Sequence, residues 1–139
     1  TDIYDLVEWI CLEDADKALA NNKTYDTWQL GFLAIFELLK KDEVFIKNIY
    51  KNVSLELLIN YLYKLVYPLI YGVVEEKAQG LHVSDDDKEF IANFYKSAFV
   101  ALVLDWIKND LKDDPKMIIS RLSVLIEGTV LNALKNFSK

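Results

Sequence analysis

Apolar residues recur at helical spacing from one end of the chain to the other, and every segment reads as helix. Asp2 opens a first helix with Asp5 at the capping-box position, and I-Y-D-L-V-E-W-I-C-L carries it to about residue 20. Thr24 or Asp26 starts a second helix, which passes through Trp28 to about residue 41. A short third piece spans 43–50. Ser54 is a good N-cap, with Val53 and Leu58 placed as a hydrophobic staple, and predicts a long helix to about residue 79 that Gly80 stops. Pro68 sits well inside it and predicts a kink, because proline removes one helical hydrogen bond. Ser84, with Asp87 three residues on, opens the next helix, which runs to the D-D-P stop at 113–115. Asp114 then caps the last helix, Pro115 fills its first turn, and apolar residues continue to Phe137. The expected fold is all-α: a single domain over 1–139, a helical bundle of about five long helices and one short one.

Three of these helices carry more apolar surface than one buried face requires. Around Trp28, Phe32, Ile35, Phe36 and Leu39, the residues Gly31, Leu33 and Ala34 make the remainder apolar too, so this helix is expected to be surrounded. The 84–113 helix has Phe90, Phe94, Ala101 and Leu104 along one line and Phe99, Val103, Trp106 and Ile107 along another. The last helix has Ile118, Leu122, Leu125 and Thr129 on one side and Ile119, Ile126, Val130 and Leu134 on another. A protomer core covers one face of each. The second faces lack a partner within the chain, and soluble monomers rarely expose contiguous apolar patches beyond a few hundred Å². A homodimer follows as the expectation, with the last two helices of each copy forming a four-helix bundle. Its interface is expected at Phe99, Leu102, Val103, Trp106, Leu122, Leu125, Ile126 and Thr129.

Composition narrows the class. The chain has 139 residues, 53% of them apolar, with four Gly and two Pro, which suits a helical domain rather than a turn-rich sandwich. One cysteine excludes an internal disulfide framework and fits a reducing compartment. The net charge of −6 argues against this chain gripping phosphates itself. No signal peptide is visible. A membrane span is not expected, because the longest apolar-looking run, 65–74, is about half of the roughly 20 residues needed and contains Pro68 and Gly72. The expected location is the cytoplasm.

Catalytic chemistry finds little support. His82, the one histidine, lies in the probable surface loop L-H-V-S, and Cys11 lies beside Ile10 and Leu12 as a small core residue. No CxxC, HExxH, phosphate-cradling glycine loop or GxSxG is present. Glu13, Asp14 and Asp16 are spaced as a solvated face. Asp85, Asp86 and Asp87 lack the alternating spacing and central glycine of a calcium loop, and read as helix-dipole complements. No enzyme activity, metal or cofactor is expected.

The aromatic residues are more informative. Tyr63, Tyr67 and Tyr71 recur at every fourth position beside a purely apolar face of Leu58, Leu62, Leu65, Leu69 and Val73. They are either a half-exposed edge of the core or the wall of a cavity with hydroxyls aimed at a small molecule. On the second reading the pocket is expected at Trp28, Phe32, Phe36, Tyr63, Tyr67 and Tyr71, with Tyr95 across from them.

At D-K-E-F-I-A-N-F-Y-K-S-A-F-V-A-L-V-L-D-W-I-K-N-D-L-K-D-D-P-K-M-I the chain resembles the C-terminal region of TetR-type bacterial transcriptional regulators. Phe94, Tyr95, Ala98, Ala101, Trp106, Ile107, Asp114 and Pro115 fill the places of that pattern. Upstream, T-Y-D-T-W-Q-L-G-F-L-A-I-F-E-L-L-K resembles the subset similar to regulators of dihydroxyacetone-kinase operons, and D-I-Y-D-L-V-E-W-I resembles the helix leaving the DNA-binding domain. The resemblance implies an all-helical regulatory domain that dimerises, often binds a small inducer, and acts through an N-terminal helix-turn-helix unit. No such unit is present in this sequence, so DNA contact is expected only through that absent domain. A second reading is a protein-interaction module with a solid core, regulated by a co-regulator protein.

Overall fold

The computed structural model describes residues 28–139, and among them every regular element is helical. The expected first helix, and with it Cys11 and the Glu13–Asp14–Asp16 cluster, lies outside the described residues. We number the helices α1 (Trp28–Lys41), α2 (Glu43–Asn48), α3 (Leu55–Lys77), α4 (Asp85–Lys108), α5 (Pro115–Ile126) and α6 (Thr129–Phe137). A π-helical turn, Ile49–Val53, joins α2 to α3. It closes with the Ser54 amide donating to the Ile49 carbonyl at 3.2 Å, a wider loop than the α-helical spacing expected for this piece.

The caps sit where the local chemistry puts them. Ser54 Oγ accepts from the Leu57 amide, Ser84 Oγ from the Asp87 amide, and the Asp114 carboxylate from the Lys116 amide, at 3.0–3.1 Å. Each satisfies one of the amides that a helix start leaves without a partner. Gly80, at φ +82°, turns the chain after α3. The turn after α4 is a Schellman motif: the Leu111 amide donates to the Trp106 carbonyl and the Asp110 amide to the Ile107 carbonyl. Asp110 takes the left-handed position usually held by glycine, at φ 64°, and Leu111 is driven into the core.

The long antiparallel pair α3 and α4 forms the frame. From α3, Leu58, Leu62, Leu65, Leu69 and Val73 are buried, as their spacing predicts, each contributing roughly 1.5–3 kcal/mol. Lys88 crosses from α4 to Glu75 of α3 at 3.2 Å. Helix α1 packs on α3 and also on α5, and α6 on both α3 and α4. The tail is tied back by the His82 amide donating to Ser138 Oγ and the Lys139 amide to the His82 carbonyl.

Two expectations are corrected. The last helix is not continuous: it breaks at Glu127–Gly128, where Gly128 adopts φ +75°. Glycine disfavours a helix interior, and Thr129 Oγ donates to the Ile126 carbonyl at 2.9 Å, covering an acceptor the break exposes. Length also fails to exclude a membrane. Leu55–Lys77, Asp85–Lys108 and the broken segment Pro115–Phe137 are each long and apolar enough, by length and composition alone, to cross one. An unbroken apolar run understates a helix whose polar residues are spaced out. About 50% of the most apolar window of α3 is buried, 44% of that of α4, and only 22% of that of Pro115–Phe137. The apolar surface left uncovered is therefore concentrated at the C-terminal end of the fold.

Gly128→Ala should lower stability by about 1–2 kcal/mol, measured by urea denaturation, because an L side chain is strained at this φ. No neighbour lies within 4 Å of the added methyl group, so a larger loss would show that the break itself holds packing.

Candidate functional site

Helices α1, α3, α4, α5 and α6 enclose a cavity of about 310 Å³. Trp28 and Gln29 enter from the start of α1, Ile70 and Val73 from α3, and Tyr95 and Phe99 from α4. Among the described residues the other side is the broken helix: Ser123, Val124 and Ile126 on α5, Glu127 at the break, and Val130 on α6. Gln29, Val124 and Glu127 are solvent-exposed and mark its mouth, while Trp28, Tyr95, Phe99 and Val130 are buried. The lining is thus apolar and aromatic within, with a few polar groups, as small-molecule sites usually are.

One hydrogen-bonded chain fixes the inner corner. Tyr95 Oη donates to Thr129 Oγ at 2.7 Å, and Thr129 Oγ donates onward to the Ile126 carbonyl at 2.9 Å. Tyr95 thereby ties α4 to the first residue of α6, across the break. Ser123 Oγ donates to the Ile119 carbonyl at 2.9 Å.

The residues expected for a pocket fall into three places. Trp28 and Tyr95 line this cavity. Phe32 and Phe36 are fully buried in an aromatic column: Trp28 to Phe99 at 5.6 Å, Phe99 to Phe32 at 4.7 Å, Phe32 to Phe36 at 4.8 Å and Phe36 to Trp106 at 4.8 Å between ring centroids. Tyr63, Tyr67 and Tyr71 lie half-buried on a different face of α3. There Tyr63 and Tyr67 border a shallow groove beside Pro68, Glu89, Asn93 and Lys96. The Lys96 ammonium sits 4.2 Å from the Tyr63 ring centroid, and Tyr67 stacks on Tyr71 at 5.7 Å. Burial, the neighbouring Glu75 carboxylate and the charge of Asp85 push the Tyr71 hydroxyl up to about 12. Glu75 is held below its ordinary value by Lys88 and then by Tyr71.

The residues expected at a dimer interface divide too. Phe99, Val103, Trp106 and Leu122 are committed to the protomer's own core, with Trp106 Nε1 also donating to the Asp113 carbonyl at 2.9 Å. Leu102, Ile126 and Thr129 are half-buried. Leu125 is 75% exposed. On α4 the outward apolar stripe is Phe90 and Phe94, 68% and 67% exposed, continued by the exposed Ala98 and Ala101. Of the two apolar lines on this helix, the one containing Phe90 and Phe94 is turned outward. On α5, Met117 and Val124 join Leu125 at the surface.

Among the described residues no cluster of His, Cys, Asp or Glu could hold a metal ion. His82 is exposed in the α3–α4 loop. What this arrangement defines is an all-α module with an apolar cavity beside a helix pair that presents apolar side chains outward. The family model describing the C-terminal region of TetR-type transcriptional regulators matches residues 26–128, and the chain belongs to that family. It is a family of transcriptional regulators, not of enzymes. No curated protein and no solved structure matches the chain.

Alkaline titration followed by tyrosine absorbance should show one hydroxyl ionising near 12, absent in Tyr71→Phe. Glu75→Gln should bring that midpoint down only in part, because burial is the larger cause. The sign for stability follows: the contribution is complete below the ordinary tyrosine value of 10.0 and is lost as pH rises from there towards 12.

Proposed function

We propose that this chain is the regulatory and dimerisation domain of a TetR-type transcriptional regulator, and that a small molecule entering the cavity controls it. The supporting observation is a shared segment. Ser123, Val124, Ile126, Glu127 and Val130 line the cavity, and Leu125 of the same stretch is exposed. An occupant of the cavity therefore acts on the segment that also meets a second copy. Two subunits pair through the outward faces of α4 and α5, with Phe90, Phe94 and Leu125 at the contact. That assigns the dimer to the exposed line of α4 in place of Phe99, Val103 and Trp106.

The readout passes to the DNA-binding unit that regulators of this type carry N-terminal to such a domain. The ligand changes the output only to the extent that it binds the two subunit arrangements with different affinity. Operation is cytoplasmic, as transcriptional control requires. Within the family we place the chain near regulators of dihydroxyacetone-kinase operons, on the stretch of α1 around W-Q-L-G-F-L-A-I-F.

Light scattering should give a dimer at micromolar concentration for the unaltered chain. Phe94→Asp and Leu125→Asp should each shift it to monomer with helix content intact, because both side chains are exposed in the protomer. A monomeric unaltered chain would overturn the dimer. Dimers that survive both substitutions would place the interface elsewhere.

A further inference from the structure

Among the described residues the cavity's one charged group is an acid, and its hydroxyls have their protons committed elsewhere. Of the hydroxyls lining it, Tyr95 gives its proton to Thr129 and Ser123 gives its proton to the Ile119 carbonyl. Thr129, just behind, is committed to the Ile126 carbonyl. A hydroxyl has one proton and two lone pairs, so what Tyr95 and Ser123 leave for an occupant is acceptor capacity. Glu127 at the mouth is an acceptor with a negative charge. The N–H donors of Trp28 and Gln29 belong to neutral groups, and among the described residues no lysine, arginine or histidine lines the cavity. The inner wall is aromatic: the Trp28 and Phe99 rings lie 5.6 Å apart at 55°, next to Tyr95. Ring faces attract cations and repel anions. The whole chain adds a net charge of −6, which raises the local concentration of cations and lowers that of anions.

We propose that the cavity takes a compact lipophilic amine, its apolar body against Trp28, Phe99, Ile70 and Val130 and its ammonium head between Glu127 and the lone pairs of Ser123 or Tyr95. This rests on the reading of the cavity as an effector site and adds the chemical class. A volume of about 310 Å³ holds about ten water-sized groups, enough for one aromatic ring with a short aminoalkyl arm. A carboxylate ligand of the same shape would meet Glu127 with no compensating cation among the described lining residues. An uncharged alcohol would keep the apolar contacts and lose the charge pairing.

The test is calorimetric titration of the full chain with three matched probes: phenethylamine, phenethyl alcohol and hydrocinnamate. Phenethylamine should bind best and hydrocinnamate worst. Glu127→Gln, an exposed substitution that leaves the core alone, should weaken phenethylamine by about fivefold to tenfold and leave the alcohol unchanged. Ser123→Trp, which fills the cavity, should abolish binding of both, and the indole resonance of Trp28 should shift only in the unfilled protein. Hydrocinnamate binding as tightly as the amine, or indifference of the amine to Glu127→Gln, would overturn the amine class while the cavity stands as an effector site. Amine binding that persists in folded Ser123→Trp would assign it to the acidic surface and overturn the site. If none of the three probes binds or moves the Trp28 resonance, the effector reading of the cavity fails with it.

Discussion

The aromatic column from Trp28 through Phe99, Phe32 and Phe36 to Trp106 is the contact on which the remaining architecture depends. Its rings stand 4.7–5.6 Å apart at tilted or edge-to-face angles, within the range that aromatic pairs prefer. It joins α1 to the C-terminal part of α4, at Phe99 and Trp106. At one end Trp28 and Phe99 are shared with the cavity. At the other, Trp106 reaches the Asp113 carbonyl and so fixes the turn that launches α5. The Schellman turn at Asp110–Leu111 seats Leu111 in the core beside that end. Cavity and outward helix face are thereby held to one rigid reference.

Surface electrostatics contribute little beside this packing. Lys40, Glu43, Lys47 and Asp110 form a chain of ion pairs, with Glu43 depressed by Lys40 and Lys47. These side chains are solvent-accessible, so water and salt screen the pairs and they add little to stability. Their consequence is registration: Lys47 links the start of the fold to the left-handed Asp110, and Lys40 reaches the Leu111 carbonyl at 3.4 Å.

How much of this was legible in the sequence depended on whether the cause was local. Ser54, Ser84 and Asp114 were readable as caps because a cap is decided within three residues. The Leu58–Val73 face was readable because its five residues keep an unbroken line at spacings of three and four, whereas the buried Val66, Ile70 and Val74 beside it did not stand out. The orientation of α4 was not, since Phe90 and Phe94 form one apolar line and Phe99 and Val103 another, and only the packing partner decides which turns inward. Phe32 and Phe36 looked like pocket aromatics because a buried ring and a cavity wall have the same pattern. Glu127 and Ser123 carried no signal as cavity residues, since their proximity to Trp28 and Tyr95 is a matter of tertiary packing.

That break is also where the sequence permits two answers. Ile119, Leu122, Ile126, Val130 and Leu134 keep helical spacing straight through residues 127 and 128, so their apolar register fits an unbroken helix as well as the observed one. Gly128 lowers the cost of leaving the helix, and Thr129 satisfies the carbonyl of Ile126 when it does. The bond from Tyr95 to Thr129 is a tertiary contact made by the broken form, beside the burial of Val130 and Leu134, and it stands at the inner corner of the cavity. A ligand that donates to the Tyr95 oxygen polarises its O–H and strengthens this bond, whereas a ligand acceptor that takes the Tyr95 proton competes with it. On the proposed function, control of the subunit face needs no long-range strain, because Thr129 and Leu125 belong to the same short stretch of chain.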